Sequence, residues 1–277
     1  MFAAPQRFTA LVLAGSRGAA DPVAAACNVP HKALAPVLGE PMLWRVVRAL
    51  QGSGRIRRIV LQSNAPALFD AIPGLRQLIA AGQVEVLPAA ASPAQSVAQA
   101  MAALAADLPV LVTTADHPLL TPAMIDHFCD QAAASGAEIA VGLAPASTVL
   151  AQYPGALRTF YRLGGERWSG CNLFALLQPG ARKAIEFWVG LERHRKRPWR
   201  LIAAIGLRPL LVYLGRPSLE RAMAELSRIV GVEGRAVAMP FAEAPIDVDK
   251  PEDLKLVEEI LKTRGATHIP SPAGGRG

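Results

Sequence analysis

The stretch TALVLAGSRG at residues 9–18 decides the fold class, because a short apolar run ends there directly in a glycine-containing loop. A continuous apolar run of this kind is typical of a parallel strand that is buried on both faces. Similar apolar runs recur at 58–63, 84–87, 109–114 and 138–143. The first stretch therefore predicts one strand of a sheet to which later segments contribute further parallel strands.

Segments with helical spacing separate these runs. They lie at 41–51, 65–81, 96–106 and 121–135. The last begins with Thr121 as N-cap and Pro122 at the first helical position. This alternation predicts a three-layer α/β protein with a doubly wound, mostly parallel sheet. Right-handed crossovers bring the carboxyl ends of the strands to one ligand-binding edge, so we expect the loops after Ala14 and Thr114 to lie together.

The pattern changes after residue 150. A turn-rich, then strand-like stretch at 164–174 is followed by a long helical and basic stretch at 182–230, a late strand at 237–241 and a closing helix at 251–261. We interpret residues 1–262 as a single domain with a helical, basic insertion at about 178–235. The Gly-, Pro- and Ser-rich residues 263–277 are expected to form a disordered tail.

Composition limits the classes of protein that the chain can belong to. Of its 277 residues 52% are hydrophobic and 18% charged, which excludes a wholly disordered chain. The formal net charge of +7 suits an anionic partner, such as a nucleotide, a nucleic acid or a membrane surface, or serves solubility alone. Three widely spaced cysteines argue against a disulfide framework, and no signal peptide or long apolar run is present. We therefore expect a cytoplasmic protein.

The loop after the first strand carries the first candidate site. Backbone N–H groups around Gly15 can bind phosphate oxygens. Lys32, in the stretch NVPHKALAPVLGEPML, can reach an α- or β-phosphate and stabilise charge that develops during a reaction. The alternative is an ordinary strand–turn with a solvated lysine.

Two acidic segments carry the second candidate site. In TTADHPLLT at 113–121, Asp116 directly follows an apolar strand, so its carboxylate is expected at the ligand edge, where it suits Mg²⁺. In APIDVDKPEDL at 244–254, Asp247 and Asp249 are two residues apart on an extended segment, so they are expected to point the same way. The alternative for Asp116 is a cap of the turn before the next helix, although Thr121 suits that role better.

These motifs together resemble the nucleotidyltransferase superfamily with a GT-A-type, Rossmann-like fold, which includes the molybdenum-cofactor guanylyl- and cytidylyltransferases. The matching positions are Leu13, Ala14, Gly15, Pro30, Lys32, Leu34, Gly39, Pro41 and Met42. The chain departs from the family pattern where His31 separates the usual Pro and Lys. It also lacks the family's Arg-Met pair, for which Arg17 is a substitute in a different register.

The resemblance implies a function and a set of residues. A nucleoside monophosphate, with CMP or GMP favoured, passes from CTP or GTP to a phosphorylated acceptor, and pyrophosphate leaves. The implied catalytic residues are Lys32 and Asp116. The implied nucleotide-binding residues are Leu13, Ala14, Gly15, Ser16, Arg17, Lys32, Ser96 and Asp116, where Ser96 is equally well explained as a helix N-cap. The implied ligands of Mg²⁺ are Asp116 and Asp247, with Asp249 as the reserve.

Three other functions compete with this one. A GT-A glycosyltransferase shares the fold, and Asp247-Val248-Asp249 formally reads DxD, but that motif lies late in this chain and the lysine of PHKAL is unexpected there. A non-catalytic nucleotide-binding protein could keep the fold, although Lys32 and both acidic segments are retained. A nucleic-acid-binding module could use the basic residues 193–200, but no recognisable binding motif accompanies them, so we expect no nucleic-acid partner.

The segment RHRKRPWRLIAAIGLRPLLVYLGR at 193–216 allows two interpretations. Its arginines can be solvated while its aliphatic residues pack on the core of an acceptor-side subdomain. Alternatively, basic residues around Trp199 and the aliphatics can form an interfacial segment. The protein would then bind the inner membrane face peripherally, and the acceptor would be a lipid-precursor phosphate.

Overall fold

The central sheet contains eight strands in the computed structural model, which describes residues 6–16, 21–104, 107–194, 215 and 217–267. All strands in chain order are β1 (Phe8–Leu13), β2 (Pro36–Val37), β3 (Glu40–Pro41), β4 (Ile56–Ser63), β5 (Val84–Pro88), β6 (Val110–Thr114), β7 (Ile139–Pro145), β8 (Tyr161–Leu163), β9 (Glu166–Leu176) and β10 (Gly234–Ala238). Strands β2 and β3 form a separate two-stranded ribbon.

The strand order β10-β7-β9-β6-β1-β4-β5 confirms the predicted mostly parallel sheet. Strands β6, β1, β4 and β5 are parallel to one another, and β10 is parallel to β7. Strand β9 runs antiparallel to both β6 and β7, and β8 pairs with β9 as a hairpin. The antiparallel strand was not predicted, because it lies in the part of the chain whose pattern changes.

Helices cover both faces of the sheet. They are α1 (Pro22–Ala26), α2 (Met42–Gly52), α3 (Pro73–Ala80), α4 (Pro93–Ala103), α5 (Pro122–Ala134), α6 (Ala146–Gln152), α7 (Ala181–His194), α8 (Leu219–Val230) and α9 (Pro251–Thr267), with short 3-10 turns at Lys32–Leu34 and Pro66–Ala71. Apolar residues of α2, α3 and α5 share one core with the sheet. Apolar residues of α4 and α7 pack on the opposite face. This is the predicted three-layer arrangement.

A third cluster of buried apolar residues joins the two ends of the chain. Val23 of α1 packs with Ile246, Val248 and Val257, so the late acidic segment and α9 lie beside the beginning of the chain. This packing brings residues around 247–249 to the edge of the sheet where β1 and β6 end.

Helix boundaries follow local capping chemistry. Thr121 Oγ1 accepts from the Met124 backbone N–H at 3.2 Å, so the predicted cap of α5 is confirmed. Helix α4 begins earlier than predicted, because Ser92 rather than Ser96 is its N-cap and Pro93 follows. Ser96 as N-cap was therefore wrong. Asp21 caps α1 in the same way, immediately before a proline.

Helix α9 continues to Thr267, beyond the predicted end at residue 261. Residues 263–267 are therefore helical instead of belonging to a disordered tail, because KTRGAT contains no proline and Gly265 weakens the helix without removing a backbone donor. Residues 268–277 lie outside the described part of the chain.

The predicted basic insertion is described only at its ends. Helices α7 and α8 lie at these ends, while residues 195–214 and 216 lie outside the described ranges, so the insertion as a whole stays a prediction. The interpretation of 193–216 as a membrane-surface segment therefore stays a prediction. Within the described residues, no helix combines the length and apolar character needed to cross a membrane.

Candidate active site

Two loops meet at the edge of the sheet because β1 and β6 are parallel neighbours. The Gly15 loop (residues 14–16) follows β1, and Asp116 follows β6. The backbone N–H of Ala115 donates to the Leu13 carbonyl at 3.0 Å. This hydrogen bond extends the pairing of β1 with β6 to the residues where both loops begin. The prediction that these loops share one edge is confirmed.

The Gly15 loop is held from the neighbouring strand. Asn64, directly after β4, accepts from the Ser16 N–H at 3.3 Å and donates to the Ser16 carbonyl at 2.9 Å. Among the described residues, no atom lies within 4 Å of a Cβ added at Gly15, so this part of the structure leaves space beside the glycine. Arg17 lies outside the described residues. The loop is thus anchored at Ser16 while its glycine keeps open space for an approaching group.

Lys32 lies between two carboxylates. Its Nζ donates to Asp116 Oδ2 at 2.7 Å and to Asp249 Oδ1 at 3.0 Å, with the lysine side chain only 13% exposed. Burial lowers the pKa of Lys32, but the charges and hydrogen bonds of Asp116 and Asp249 outweigh burial and raise the pKa above its ordinary value. Lys32 is therefore an ammonium at neutral pH, fixed at the ligand edge.

Asp116 has one carboxylate oxygen left over. Its Oδ2 accepts from Lys32, whereas Oδ1 is buried and has no hydrogen-bond partner among the described residues. The Asp116 carbonyl accepts from the Val248 N–H at 2.9 Å, so the backbone ties this residue to the acidic segment. The orphaned oxygen is the kind of ligand that a divalent cation takes.

The Asp247 carboxylate is engaged by Asn172 and Arg158 and not by Lys32. Its Oδ2 accepts from Asn172 Nδ2 at 2.6 Å, its Oδ1 is paired with Arg158, and Arg158 also donates to its carbonyl at 3.2 Å. Residues 246–248 are not in a strand. The side-chain alternation of a strand, from which we predicted that Asp247 and Asp249 point the same way, therefore does not apply to them. Asp249, the predicted reserve, is the residue that joins Lys32 and Asp116.

The predicted metal set Asp116, Asp247 and Asp249 does not form one cluster. Across the described residues, no group of three or more His, Cys, Asp or Glu side chains could hold a metal ion. The physical reason is that Arg158 and Asn172 engage Asp247, which leaves Asp116 and Asp249 as the facing pair. A cation at this edge would therefore depend on these two carboxylates and on oxygens of the bound phosphates.

Arg158 and Asn172 were not predicted as residues of the site. Asn172 lies in β9 with a φ of 52°, a left-handed conformation that asparagine adopts more readily than most residues. The register of β9 on β7 shifts beside it, so the irregularity turns the side chain toward Asp247. Asparagine in a strand-like stretch is the one signal that could have identified it. Nothing in the sequence around Arg158 singles it out.

Ser96 supports the neighbouring loop. It is buried in α4, and its Oγ accepts from the Ala90 N–H at 2.9 Å. Gln62 of β4 donates to the Ser96 carbonyl at 2.8 Å and to the Pro88 carbonyl at 3.1 Å. These bonds fix the loop after β5 at the same edge of the sheet, two strands from β1.

His117 is buried next to Asp116. Burial lowers its pKa to about 4, so the ring is neutral at pH 7. Neither ring nitrogen has a hydrogen-bond partner within the described part of the chain. His117 is therefore a neutral loop residue that packs inside the fold.

An apolar cavity lies apart from this site. It has a volume of about 620 Å³ between α7, α8 and the sheet, and Trp168, Phe174, Trp188 and Met223 are among its lining residues. Neither Lys32 nor Asp116 lines it. The chemistry of the candidate site is therefore at the strand edge and not in this cavity.

A family comparison decides the identity of the fold. The model of the MobA-like NTP transferase domain matches residues 10–167, more than half of the chain. The chain belongs to the MobA-like NTP transferase family. It is therefore a nucleotidyltransferase, and the matched region contains the Gly15 loop, Lys32 and Asp116, while Asp247 and Asp249 lie beyond it.

Individual relatives of this MobA-like NTP transferase are similar over different shares of its length. It is 35% identical over 150 residues to the 2-C-methyl-D-erythritol 4-phosphate cytidylyltransferase of Saccharopolyspora erythraea. That match covers 52% of the chain and 62% of the relative, so the chain spans less than two thirds of that protein.

Solved structures extend the similarity to nearly the whole chain. A hypothetical transferase from Thermus thermophilus is 33% identical with a TM-score of 0.74, covering 90% of this chain and all of the other. CMP:2-keto-3-deoxy-manno-octonic acid synthetase complexed with CTP has a TM-score of 0.56 at 12% identity, covering 94% of this chain and all of that chain. A 4-diphosphocytidyl-2C-methyl-D-erythritol synthase has a TM-score of 0.54 at 13% identity, covering 92% and 99%. The last two show a common fold alone.

Proposed function

We propose that this protein transfers a nucleoside monophosphate from an NTP to a phosphorylated acceptor and releases pyrophosphate. The observation that carries the proposal is the shared contact of the Lys32 ammonium with Asp116 and Asp249 beside the open Gly15 loop. CTP is favoured over GTP, because the curated relative that is 35% identical is named for cytidylyl transfer.

Each group has a part in this reaction. The backbone of residues 13–16 would bind the triphosphate, and Arg17, which lies outside the described residues, stays a predicted contact of the same phosphates. An acceptor phosphate oxygen forms a bond to the α-phosphorus, the bond from that phosphorus to the bridging oxygen breaks, and pyrophosphate leaves with the electron pair. Lys32 stabilises the negative charge that develops on the α-phosphate. Because a phosphate acceptor is already ionised at pH 7, no general base is needed.

Asp116 and Asp249 would hold a divalent cation, with Mg²⁺ as the expected ion. The orphaned Oδ1 of Asp116 fits a cation, since a buried carboxylate oxygen without a partner carries an uncompensated desolvation cost. When bound, the ion would supply charge neutralisation on the phosphate oxygens. The side chain of Ser96 would act through the loop after β5 that it holds.

The glycosyltransferase alternative has less support. Its DxD interpretation needs Asp247 and Asp249 to act together, whereas Asp247 is paired with Arg158 and bonded to Asn172. The alternative of a non-catalytic nucleotide-binding protein is weakened by the charged Lys32 fixed between two carboxylates.

The remaining parts of the proposal concern the insertion and the partners. The domain predicted at 1–262 is extended by α9 to Thr267 and keeps an acceptor-side insertion at about 178–235, because β10, at the end of the insertion, pairs with β7 of the central sheet. The protein is cytoplasmic, and nucleic acid is not among its partners.

If 193–216 contacts the inner membrane face and the acceptor is a lipid precursor, the protein sediments with anionic liposomes at low salt and is released at high salt. Protein that stays in the supernatant at low salt leaves only soluble phosphorylated acceptors.

The proposed function is tested by thermal-shift measurements with CTP, GTP, ATP and UTP, each with and without Mg²⁺. A ligand that binds only the folded state raises the melting temperature by mass action. We expect CTP to give the largest rise and the rise to depend on Mg²⁺. If none of the four nucleotides shifts the melting temperature of the wild-type protein, the proposed function is wrong.

A further inference from the structure

His31 lies between the Lys32 turn and the Gly15 loop and is only 1% exposed. Its Nδ1 accepts from the Ala33 N–H at 3.1 Å and so caps the 3-10 turn that carries Lys32. A ring nitrogen that accepts an N–H bond carries no proton, so the proton of the neutral ring is on Nε2. The ring therefore fixes the Lys32 turn with one nitrogen and keeps a donor on the other.

The donor side of His31 faces the Gly15 loop. Nε2 is buried without a hydrogen-bond partner among the described residues. Burial lowers the pKa of His31, against the opposing influence of the Asn64 side chain, the Asp21 carboxylate and the Ala14 backbone, which lie near the ring. The ring of Phe69 stands edge-on at 5.8 Å between centroids and closes the apolar side. Among the described residues, the polar groups that raise the pKa of the ring are Asn64, Asp21 and the Ala14 backbone, so the ring is influenced by the loop and by the residue that bonds it.

Asn64, which lies near the ring, is also bonded to the loop itself. It bonds both the N–H and the carbonyl of Ser16, so any group that fixes Asn64 also fixes the loop backbone. A helical or 3-10 turn needs only a short capping side chain such as Ser, Thr, Asp or Asn. Histidine adds a second nitrogen that capping does not require, and this nitrogen is aimed at the loop.

We propose that His31 is a positioning residue that couples Lys32 to the Gly15 loop: in the nucleotide complex its Nε2–H, which has no hydrogen-bond partner among the described residues, donates to Asn64 or the loop backbone and holds them around the triphosphate. The inference rests on the proposed function, because it assumes that Lys32 and the loop bind the same nucleotide. His31 acts through these groups and touches no reacting atom.

Two substitutions separate the two nitrogens. In His31→Asn the side-chain amide replaces Nδ1 and is a good cap, but no donor reaches the position of Nε2. In His31→Gln the amide nitrogen reaches the position of Nε2, while the capping acceptor is lost. Calorimetric titration with Mg²⁺ and each of CTP, GTP, ATP and UTP measures affinity for the wild-type protein and both variants. Thermal unfolding of each variant measures the structural effect.

We expect His31→Asn to keep the cap but lose some melting temperature, because the buried ring no longer packs against Phe69, and to bind the preferred nucleotide about tenfold more weakly, as for the loss of one hydrogen bond. His31→Gln should lose melting temperature and yet bind within about threefold of wild type. The inference is overturned if His31→Asn binds as tightly as wild type, or if His31→Gln binds no better than His31→Asn. A wild-type protein that binds none of the four nucleotides would overturn the proposed function and this inference together, and the wild-type titration alone reveals that outcome.

Discussion

At the scale of single residues, the charge of Lys32 is the feature on which the site depends. Its pKa is raised above the ordinary value by Asp116 and Asp249, against burial, so the folded state holds this proton more tightly than the unfolded state. The ion pairs therefore stabilise the fold fully below the unfolded pKa of about 10.4. That contribution is lost as the pH rises through the higher pKa of the folded state.

We predict that the stability difference between wild type and Lys32→Met shrinks as the pH is raised from about 8 to about 11. Denaturant unfolding at each pH measures it. Lys255→Met, at an exposed lysine of α9, is the matched control and should show little change in this range. A wild-type to Lys32→Met difference that stays constant across the range would contradict the ion pairs.

Asp247 and Asp249 should also behave differently. Asp247→Asn removes the charge that Arg158 faces in a site where both side chains are 15% exposed or less, so we expect a loss of about 2 kcal/mol in unfolding free energy. Asp249 is 65% exposed, so Asp249→Asn should leave stability nearly unchanged and weaken Mg²⁺-dependent nucleotide binding. Denaturant unfolding and calorimetric titration of both variants make the comparison. The opposite pattern would restore Asp247 as the metal ligand.

At the scale of elements, the amino terminus of α4 is the clearest local test. Ser92 caps this helix by accepting from the Gln95 N–H at 3.3 Å, and its hydroxyl also donates to Glu192 of α7. Ser92→Ala should therefore lower the unfolding free energy by about 1 kcal/mol, whereas Ser92→Thr keeps the hydroxyl and most of the stability. Equal stability of the two variants in urea would show that the cap contributes nothing.

Elements that repeat a strong local pattern could be predicted from the sequence, and irregular ones could not. Strand β1, strand β6 and the cap of α5 follow from apolar runs and from Thr121 before Pro122. The orientation of Asp247 could not be predicted, because it depends on Arg158 and on a left-handed Asn172 in β9, both distant in sequence. The prediction from side-chain alternation failed at Asp247, because residues 246–248 are held by side-chain contacts and not by the hydrogen bonds of a β-sheet.

At the scale of the whole molecule, the parallel core was predictable and the antiparallel addition was not. Local pattern gives the strand type and the shared ligand edge, so the meeting of the Gly15 loop and Asp116 could be predicted. Strand β9 lies between β6 and β7, and this position depends on pairing between strands that are distant in sequence. The residues of β9 themselves carry no pattern that predicts it. The contact of Lys32 with Asp249 spans almost the whole chain and depends on α9 packing beside α1.

The central claim is that Lys32, held between Asp116 and Asp249, binds the phosphates of an NTP together with Mg²⁺. Calorimetric titration of the preferred nucleotide, with Mg²⁺ and with EDTA, tests it on wild type, Lys32→Met and Lys255→Met. We predict that wild type and Lys255→Met bind alike, that EDTA weakens the binding of both, and that Lys32→Met loses at least about tenfold in affinity, as for the loss of a charged hydrogen bond. Lys32→Met that binds as tightly as wild type would contradict it.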